Sequence, residues 1–364
     1  MLRLSGIWTC ILLLWLGSTQ PVKADDYRVQ TYVTGINIPW GMVWLPNGDM
    51  LVSERSGKLF RIRGTDIVAE IDGVPKVHAN GQGGLLDLEL HPSFATNGWI
   101  YFSYADASGW GSGSNTAIAR ARLGADRLTD LEVLYKASPD SRRGQHYGSR
   151  IEFDDAGYLY FSIGDRGARD DNPQDLRRDG GKVYRLFDDG RIPPDNPFAG
   201  GARPAIYSYG HRNPQGMAKH PLTGKIWVHE HGPRGGDEVN LIKPAANYGW
   251  PLLSHGVNYS GSSFAEGTER EGYESPVWFW VPSIAPSGMT FVTSDRYPEW
   301  QGHLLVGSLK FSRLDLCLLE GDRITAVRPV LQGIGRVRNV RQGPDGYIYV
   351  AVDGVGIKRV ERQP

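Results

Sequence analysis

The sequence predicts an all-β protein, a six-bladed β-propeller, and three observations carry that prediction. Glycine (47) and proline (23) are frequent enough to place turns throughout the 364 residues. Aromatic and β-branched residues gather in short runs, with no convincing amphipathic helix between them. One phrase recurs six times: an apolar run, a turn with glycine, then an aromatic or β-branched run.

The first 24 residues stand apart. Arg3 is followed by a short apolar run, IWTCILLLWL (7–16), and by the small-residue sequence VKA before Asp25. That layout is a secretory signal peptide, and the run is too short for the roughly 20 residues a spanning helix needs. Export to the periplasm or the medium is therefore expected, without stable membrane insertion, leaving 25–364 as one propeller domain.

The repeats follow in order: GMVWLPNGDMLVSE (41–54), LELHPSFATNGWIYFS (88–103), RIEFDDAGYLYFSIG (150–164), GMAKHPLTGKIWVHE (216–230), GMTFVTSDRYPEWQGHLLVG (288–307) and VRNVRQGPDGYIYVAV (337–352). Each reads as a β-hairpin, because its turn glycine supplies the positive φ that tight turns require. The turn glycines at 48, 98, 157, 224, 302 and 346 are 44 to 78 residues apart, which is blade spacing with loop insertions. Runs such as KLFRI (58–62) and GKVYRL (181–186) supply outer strands. The early run 27–33 is placed to pair with the last blade and close the ring.

Composition removes some functions. Of 40 basic residues, Arg3 and Lys23 leave with the leader, so 38 face 40 acidic residues. This balance gives no electrostatic basis for binding nucleic acid or a membrane surface. Cys10 also leaves, and Cys317 alone cannot form an internal disulfide. Stability must come from core burial, for which the chain is long enough.

Propellers place function where loops from several blades meet at one end of the channel, so the informative residues are expected just after the hairpin strands and not within them. Gln82 lies among Gly81, Gly83 and Gly84, which let backbone approach a ligand; a turn entering a strand is the plainer reading. His146 precedes the third hairpin and Asp165 follows it, so the two are expected to meet. A carboxylate on one imidazole nitrogen fixes the tautomer and raises the basicity of the other, which suits a general base. Arg212, Asn213 and Gln215 flank Pro214 before the fourth hairpin and suit a ligand rich in oxygens. Lys310, Arg336 and Arg338 lie near strand ends without acidic neighbours in sequence, and the last two face the same way. An anionic partner such as a polycarboxylate would suit them. Trp278 and Trp280 alternate in VWFWVPS (277–283), where one side chain could offer a flat wall and core packing is the plainer role.

The stretch HEHGPRGGDEVN (229–240) leaves three readings open. In order they are no metal; calcium, through backbone carbonyls of the Gly-Pro turn with Asp237 and Glu238; and zinc on His229 and His231.

Together the strings PWGMVWLPNG, GQGGLLD, GHRNPQGMA, EHGPRGGDEVNLI, NYGWP and GPDGYIYV, in this order, resemble the soluble quinoprotein sugar dehydrogenases that use pyrroloquinoline quinone (PQQ) and calcium. The similarity spans nearly all of the mature chain and is greatest to the shorter, aldose sugar dehydrogenase branch. It implies a six-bladed propeller that oxidises aldoses at the anomeric carbon to lactones and passes electrons to an external acceptor. It further implies that His146 is the general base and Asp165 its support. Arg212 and Asn213 would contact the quinone oxygens. Gln82, Gln215, Lys310, Arg336 and Arg338 would hold the cofactor, with Trp280 near its ring. Gly232 and Pro233 would bind the active-site calcium through carbonyls, and Glu238 with the Tyr248 carbonyl a second, structural one. Loops present in the longer glucose dehydrogenase branch are missing here, so neither substrate range nor oligomeric state carries over, and a monomer is favoured. Two rivals are a calcium-dependent lactonase recruiting Asp87, Asp165 and Asp237, and a non-enzymatic propeller that binds carbohydrate or protein.

Overall fold

Each of the six phrases supplies the inner two strands of a four-stranded antiparallel sheet. The computed structural model describes residues 26–109 and 111–363; the expected leader, 1–24, lies outside the described residues, as does Trp110 of the glycine-rich 108–115. β1 (Tyr27–Val33) comes first. Blade one then comprises β2 (Pro39–Trp44), β3 (Met50–Glu54), β4 (Lys58–Arg63) and β5 (Asp66–Glu70). Blade two comprises β6 (Leu85–Leu90), β7 (Trp99–Asp106), β8 (Asn115–Leu123) and β9 (Leu128–Lys136). Blade three comprises β10 (Ile151–Phe153), β11 (Leu159–Ile163), β12 (Lys182–Leu186) and β13 (Ile206–Tyr209).

Blade four comprises β14 (Pro214–Lys219), β15 (Ile226–Glu230), β16 (Asp237–Leu241) and β17 (Trp278–Trp280). Blade five comprises β18 (Pro286–Phe291), β19 (Leu304–Ser308), β20 (Arg313–Glu320) and β21 (Arg323–Val330). Blade six has β22 (Val337–Gln342), β23 (Ile348–Val352) and β24 (Gly356–Arg362), and β1 completes it by pairing antiparallel with β24. The ring is thus closed by the first strand, as the sequence predicts. All six turn glycines have positive φ, from 67° to 88°. The second turn winds through one helical turn, α1 (Phe94–Asn97), before Gly98.

Because strand side chains alternate, every sheet buries both faces against its neighbours. Among the described residues, six apolar clusters lie one between each adjacent pair of blades, and a small seventh joins Trp40, Leu86, Ala105 and Tyr147. Each fully buried Leu, Val or Phe there contributes roughly 1.5–3 kcal/mol. Trp227 (0 % exposed) anchors the cluster between blades four and five.

A polar device recurs beside the channel. Ser53 on β3 donates to the Leu86 carbonyl of blade two, Ser103 on β7 to Ser149 of blade three, and Ser162 on β11 to Pro214 of blade four. His229 takes this position on β15, with Nε2 3.2 Å from the Gly288 carbonyl of blade five. Three residues beyond it the chain reaches one rim, delivering Asp165 after Ser162 and Gly232 after His229. The starts of the inner strands reach the same rim, so functional residues lie at both ends of each hairpin rather than only after it.

Candidate functional site

His146 and Asp165 meet as the hairpin register requires. Asp165 Oδ1 is 2.7 Å from His146 Nδ1 and accepts from the Gly167 amide at 2.7 Å; Oδ2 accepts from Trp250 Nε1 at 2.9 Å. The His146 amide donates to Gln82 Oε1 at 2.8 Å, and its φ of 56° is a left-handed value rarely adopted outside glycine. That backbone is held from blade two: Gln82 reaches it because the Gln82 amide bonds the Gly144 carbonyl. A Cβ on Gly81 would lie 2.2 Å from the same carbonyl, so only glycine permits this approach.

Burial lowers the pKa of His146, and Arg212 adds to the effect, against the opposing pull of Asp165. Burial alone would raise Asp165, but the hydrogen bond from His146 and its charge hold the carboxyl below its ordinary value. The pair therefore stands as neutral imidazole and carboxylate near neutral pH. With Nδ1–H held by Asp165, Nε2 carries the lone pair.

Arg212 Nη1 donates to the Gly232 carbonyl at 2.8 Å and the His231 carbonyl at 3.1 Å, and its guanidinium lies 5.3 Å from the Trp250 ring. Asn213 Oδ1 accepts from the Gly148 amide at 3.1 Å. Gln215 is buried beside it, with Nε2 3.4 Å from the Gly148 carbonyl. A cavity of about 260 Å³ is lined by Gln82, Asn213, Gln215, His231, Arg336 and Arg338, over Trp40. A smaller recess of about 120 Å³ is lined by His146, Asp165, Arg212, Pro233 and Trp250 with Arg169, Asn258 and Tyr259, and the bond from the His146 amide to Gln82 ties it to the larger cavity.

Two expectations need correction. Trp280 offers no wall to this cavity: it is 7 % exposed, packs in the cluster between blades four and five, and its Nε1 donates to Asp315 at 3.1 Å. The exposed aromatic on the recess is Tyr259, 73 % exposed, in the insertion between β16 and β17. Arg336 and Arg338 are not without a carboxylate: both face Asp353, at 3.7 and 2.9 Å. Sequence neighbours could not reveal that partner, which follows β23. Lys310 is exposed beside Leu309 of the lining, 5.1 Å from the Phe311 ring.

The HEHGPRGGDEVN stretch divides its residues among several tasks. His229 is the blade-to-blade tie already described. Glu230 bonds His211 Nδ1 at 2.7 Å and the Arg212 amide. Asp237 accepts from the amides of Gly232, Ile284 and Ala285 and from Ser283, so it braces the loop from within. A Cβ on Gly232 would lie 2.2 Å from the Gly235 carbonyl, which accounts for glycine there. Zinc shared by His229 and His231 is therefore not the arrangement. The carbonyls of His231 and Gly232 instead face a cation, the Arg212 guanidinium. This is the donor chemistry that calcium takes.

Glu238 lies across from Glu230, and its pKa is pushed well above the ordinary range by burial and by that neighbouring charge. Asn240 Nδ2 donates to Glu230 at 3.1 Å and Glu238 at 3.3 Å, while its own buried Oδ1 has no partner. The Tyr248 ring stacks on His211, 4.5 Å away. Two facing carboxylates and an orphan oxygen suit a hard cation. The buried Nε2 of His231, on the cavity wall, is likewise unpartnered and fits a ligand bearing polar atoms. Trp250, Tyr259, Glu230 and Asn240 escaped sequence reasoning, and His231 entered it only as a zinc candidate.

The carboxylates a lactonase would need do not converge. Asp87 is bound to Arg150 at 3.0 Å, Asp165 to His146, and Asp237 to its own loop.

A family profile described as Glucose / Sorbosone dehydrogenase matches residues 36–358. The aldose sugar dehydrogenase YliI of Escherichia coli is 44 % identical over 350 residues, covering 94 % of each chain. The structure of the soluble aldose sugar dehydrogenase from Escherichia coli in its apo form superposes with a TM-score of 0.88 at 40 % identity, covering 93 % of this chain and all of that one. The PQQ-bound form of an aldose sugar dehydrogenase from Streptomyces coelicolor gives a TM-score of 0.76 at 30 % identity, covering 93 % and 98 %.

Proposed function

The chain belongs to the glucose/sorbosone dehydrogenase family, and from that membership we propose a calcium- and PQQ-dependent enzyme that oxidises aldoses at C1 to lactones. The observation that carries this reading is the buried His146–Asp165 pair and its tie, through Gln82, to the cation-lined cavity. A neutral histidine backed by a buried carboxylate lines the small recess, and its amide is held by Gln82 of the polar, cation-lined chamber.

Arg336, Arg338 and Lys310 would hold the carboxylates of PQQ, with Gln82, Asn213, Gln215 and His231 donating or accepting around its edge. Tyr259 lies on the smaller recess, where its ring would face the sugar rather than the quinone. The Gly232 and Pro233 carbonyls would hold the catalytic calcium, Arg212 giving way from the first of them. Glu238 and the Tyr248 carbonyl, joined by Glu230 and Asn240, would hold the structural one. When bound, PQQ supplies the two-electron acceptor that takes hydride from the anomeric carbon.

The chain's own residues do the rest. The recess seats the sugar with its C1 hydroxyl at His146 Nε2, which removes the proton. Asp165 holds the Nδ1 proton and stabilises the imidazolium that results. Arg212 presents its charge toward the oxygens on which negative charge develops. Trp250 closes the back of the pair and keeps water from Asp165. Electrons leave to an external acceptor, and the enzyme works as an exported monomer.

The test uses mature protein freed of metal and then given calcium, PQQ and a panel of aldoses, with dye reduction as the readout. Reduction that requires both additions is expected. Tight PQQ binding without turnover of any aldose would overturn the substrate class, and no PQQ binding would overturn the reading as a whole.

A further inference from the structure

Arg150, just before β10, is a charged side chain that no step above uses. It is 2 % exposed. Its Nε donates to the Gln215 carbonyl of blade four at 2.7 Å, Nη1 to Asp87 of blade two at 3.0 Å, and Nη2 to the Arg338 carbonyl of blade six at 3.0 Å. The guanidinium stacks 4.1 Å from the Trp40 ring of blade one. One planar group therefore ties the blade that carries it to four others. Three of its four contacts, Trp40, Gln215 and Arg338, line the larger cavity.

We propose that Arg150 is the positioning residue of the cofactor chamber. Through the carbonyls of Gln215 and Arg338 and the face of Trp40, it sets the separation of the walls that grip PQQ. The inference rests on the PQQ reading. The five N–H donors of arginine lie in a fixed plane, so its bonds to two carbonyls and a carboxylate impose one geometry on three blades. Lysine at this position keeps the charge and the pairing with Asp87 but cannot reproduce the fork. Asp87 is itself fixed, because its other oxygen accepts from the Ile151 amide at 3.1 Å.

The experiment compares the parent, Arg150→Lys, and the double variant Arg150→Met with Asp87→Asn, which leaves no buried charge unpaired. Each is titrated with PQQ in the presence of calcium, by tryptophan quenching and PQQ absorbance, well below its melting temperature. Tenfold or weaker PQQ affinity is expected in Arg150→Lys, with a cooperative melt retained and a shifted absorption band for the bound cofactor. A larger loss is expected in the double variant. PQQ affinity within twofold of the parent in folded Arg150→Lys would overturn the proposal and leave Arg150 a purely structural tie. If the double variant does not fold, Arg150→Lys decides alone. Failure of the parent to bind PQQ is a separate result and would overturn the cofactor reading on which this inference rests.

Discussion

Replacing Asp165 with asparagine tests the catalytic pair with little change of shape. The carboxylate accepts two hydrogen bonds on Oδ1, from His146 and Gly167, and one on Oδ2, from Trp250. An amide has one oxygen to offer. With that oxygen in the Oδ1 place, two bonds survive and the new NH₂ faces the Trp250 N–H. In the other orientation one bond survives, NH₂ meets the Gly167 N–H, and the His146 proton is driven to Nε2, where no base remains. The first orientation keeps one more bond and dominates, so the productive tautomer persists. Two losses remain. The buried Trp250 N–H is orphaned, at about 1–3 kcal/mol of stability. The charge opposite the developing imidazolium is also gone, which at about 4 Å and an effective dielectric near 20 is at most about 4 kcal/mol. Allowing for the remaining amide dipole, about 3–4 kcal/mol off transition-state stabilisation corresponds to roughly 10²–10³ in kcat. The assay is dye reduction at saturating aldose, calcium and PQQ, with bound PQQ quantified by absorbance. Because Asp165 acts through His146, adding Asp165→Asn to His146→Ala should slow that variant no further. A kcat within fivefold of the parent, or fully additive losses, would refute the assignment.

The pH profile follows from the same pair. Burial holds His146 below 6.5, so kcat/KM should be flat through neutral pH and fall only below that value as the imidazole charges; in Asp165→Asn, which loses the group that raises it, the limb should move lower still. Neutralising the cations, as Arg336→Gln with Arg338→Gln and Asp353→Asn to avoid a stranded carboxylate, should weaken PQQ binding by about 10² or more while the apo protein melts near the parent. Titrations at two salt concentrations should show a shallower dependence in the variant. Removing calcium should lower the melting temperature, and Glu238→Gln should abolish most of that difference. His229 is held at about 3, so the folded protein binds fewer protons there than the unfolded chain from pH 6.5 downward, and stability falls as pH falls. His229→Ser, the residue used in three other blades, should reduce that slope by about one proton, or about 1.4 kcal/mol per pH unit. An unchanged slope in denaturant titrations would show that His229 is not neutral in the fold.

Glycine turns and alternating runs are local signals, so the blade number and the closing strand are legible in the sequence alone. His146 and Asp165 are legible for a related reason: they bracket one hairpin, and a hairpin brings its ends together whatever surrounds it. The residues that escape are those whose partners come from another strand or blade. Asp353 meets Arg336 and Arg338 only because β22 and β23 run back to back, and nothing near either arginine in the chain announces it. Trp280 and Tyr259 show the limit most plainly. Both are aromatic, but alternation along a short strand says only that Trp278 and Trp280 share a face, not whether that face meets a ligand or the next sheet. Tyr259 sits in an insertion with no periodicity, and its exposure over the recess depends on how that loop crosses Trp250. The HEH string carries the opposite error, since metal-like composition hides a repeat position. Once His229 is aligned with Ser53, Ser103 and Ser162, the next three residues fall into place as the segment that brings the Gly232 carbonyl to the rim. Asp165 reaches the same rim one blade earlier by the same count, so the repeat that builds the fold also sets where its chemistry is carried.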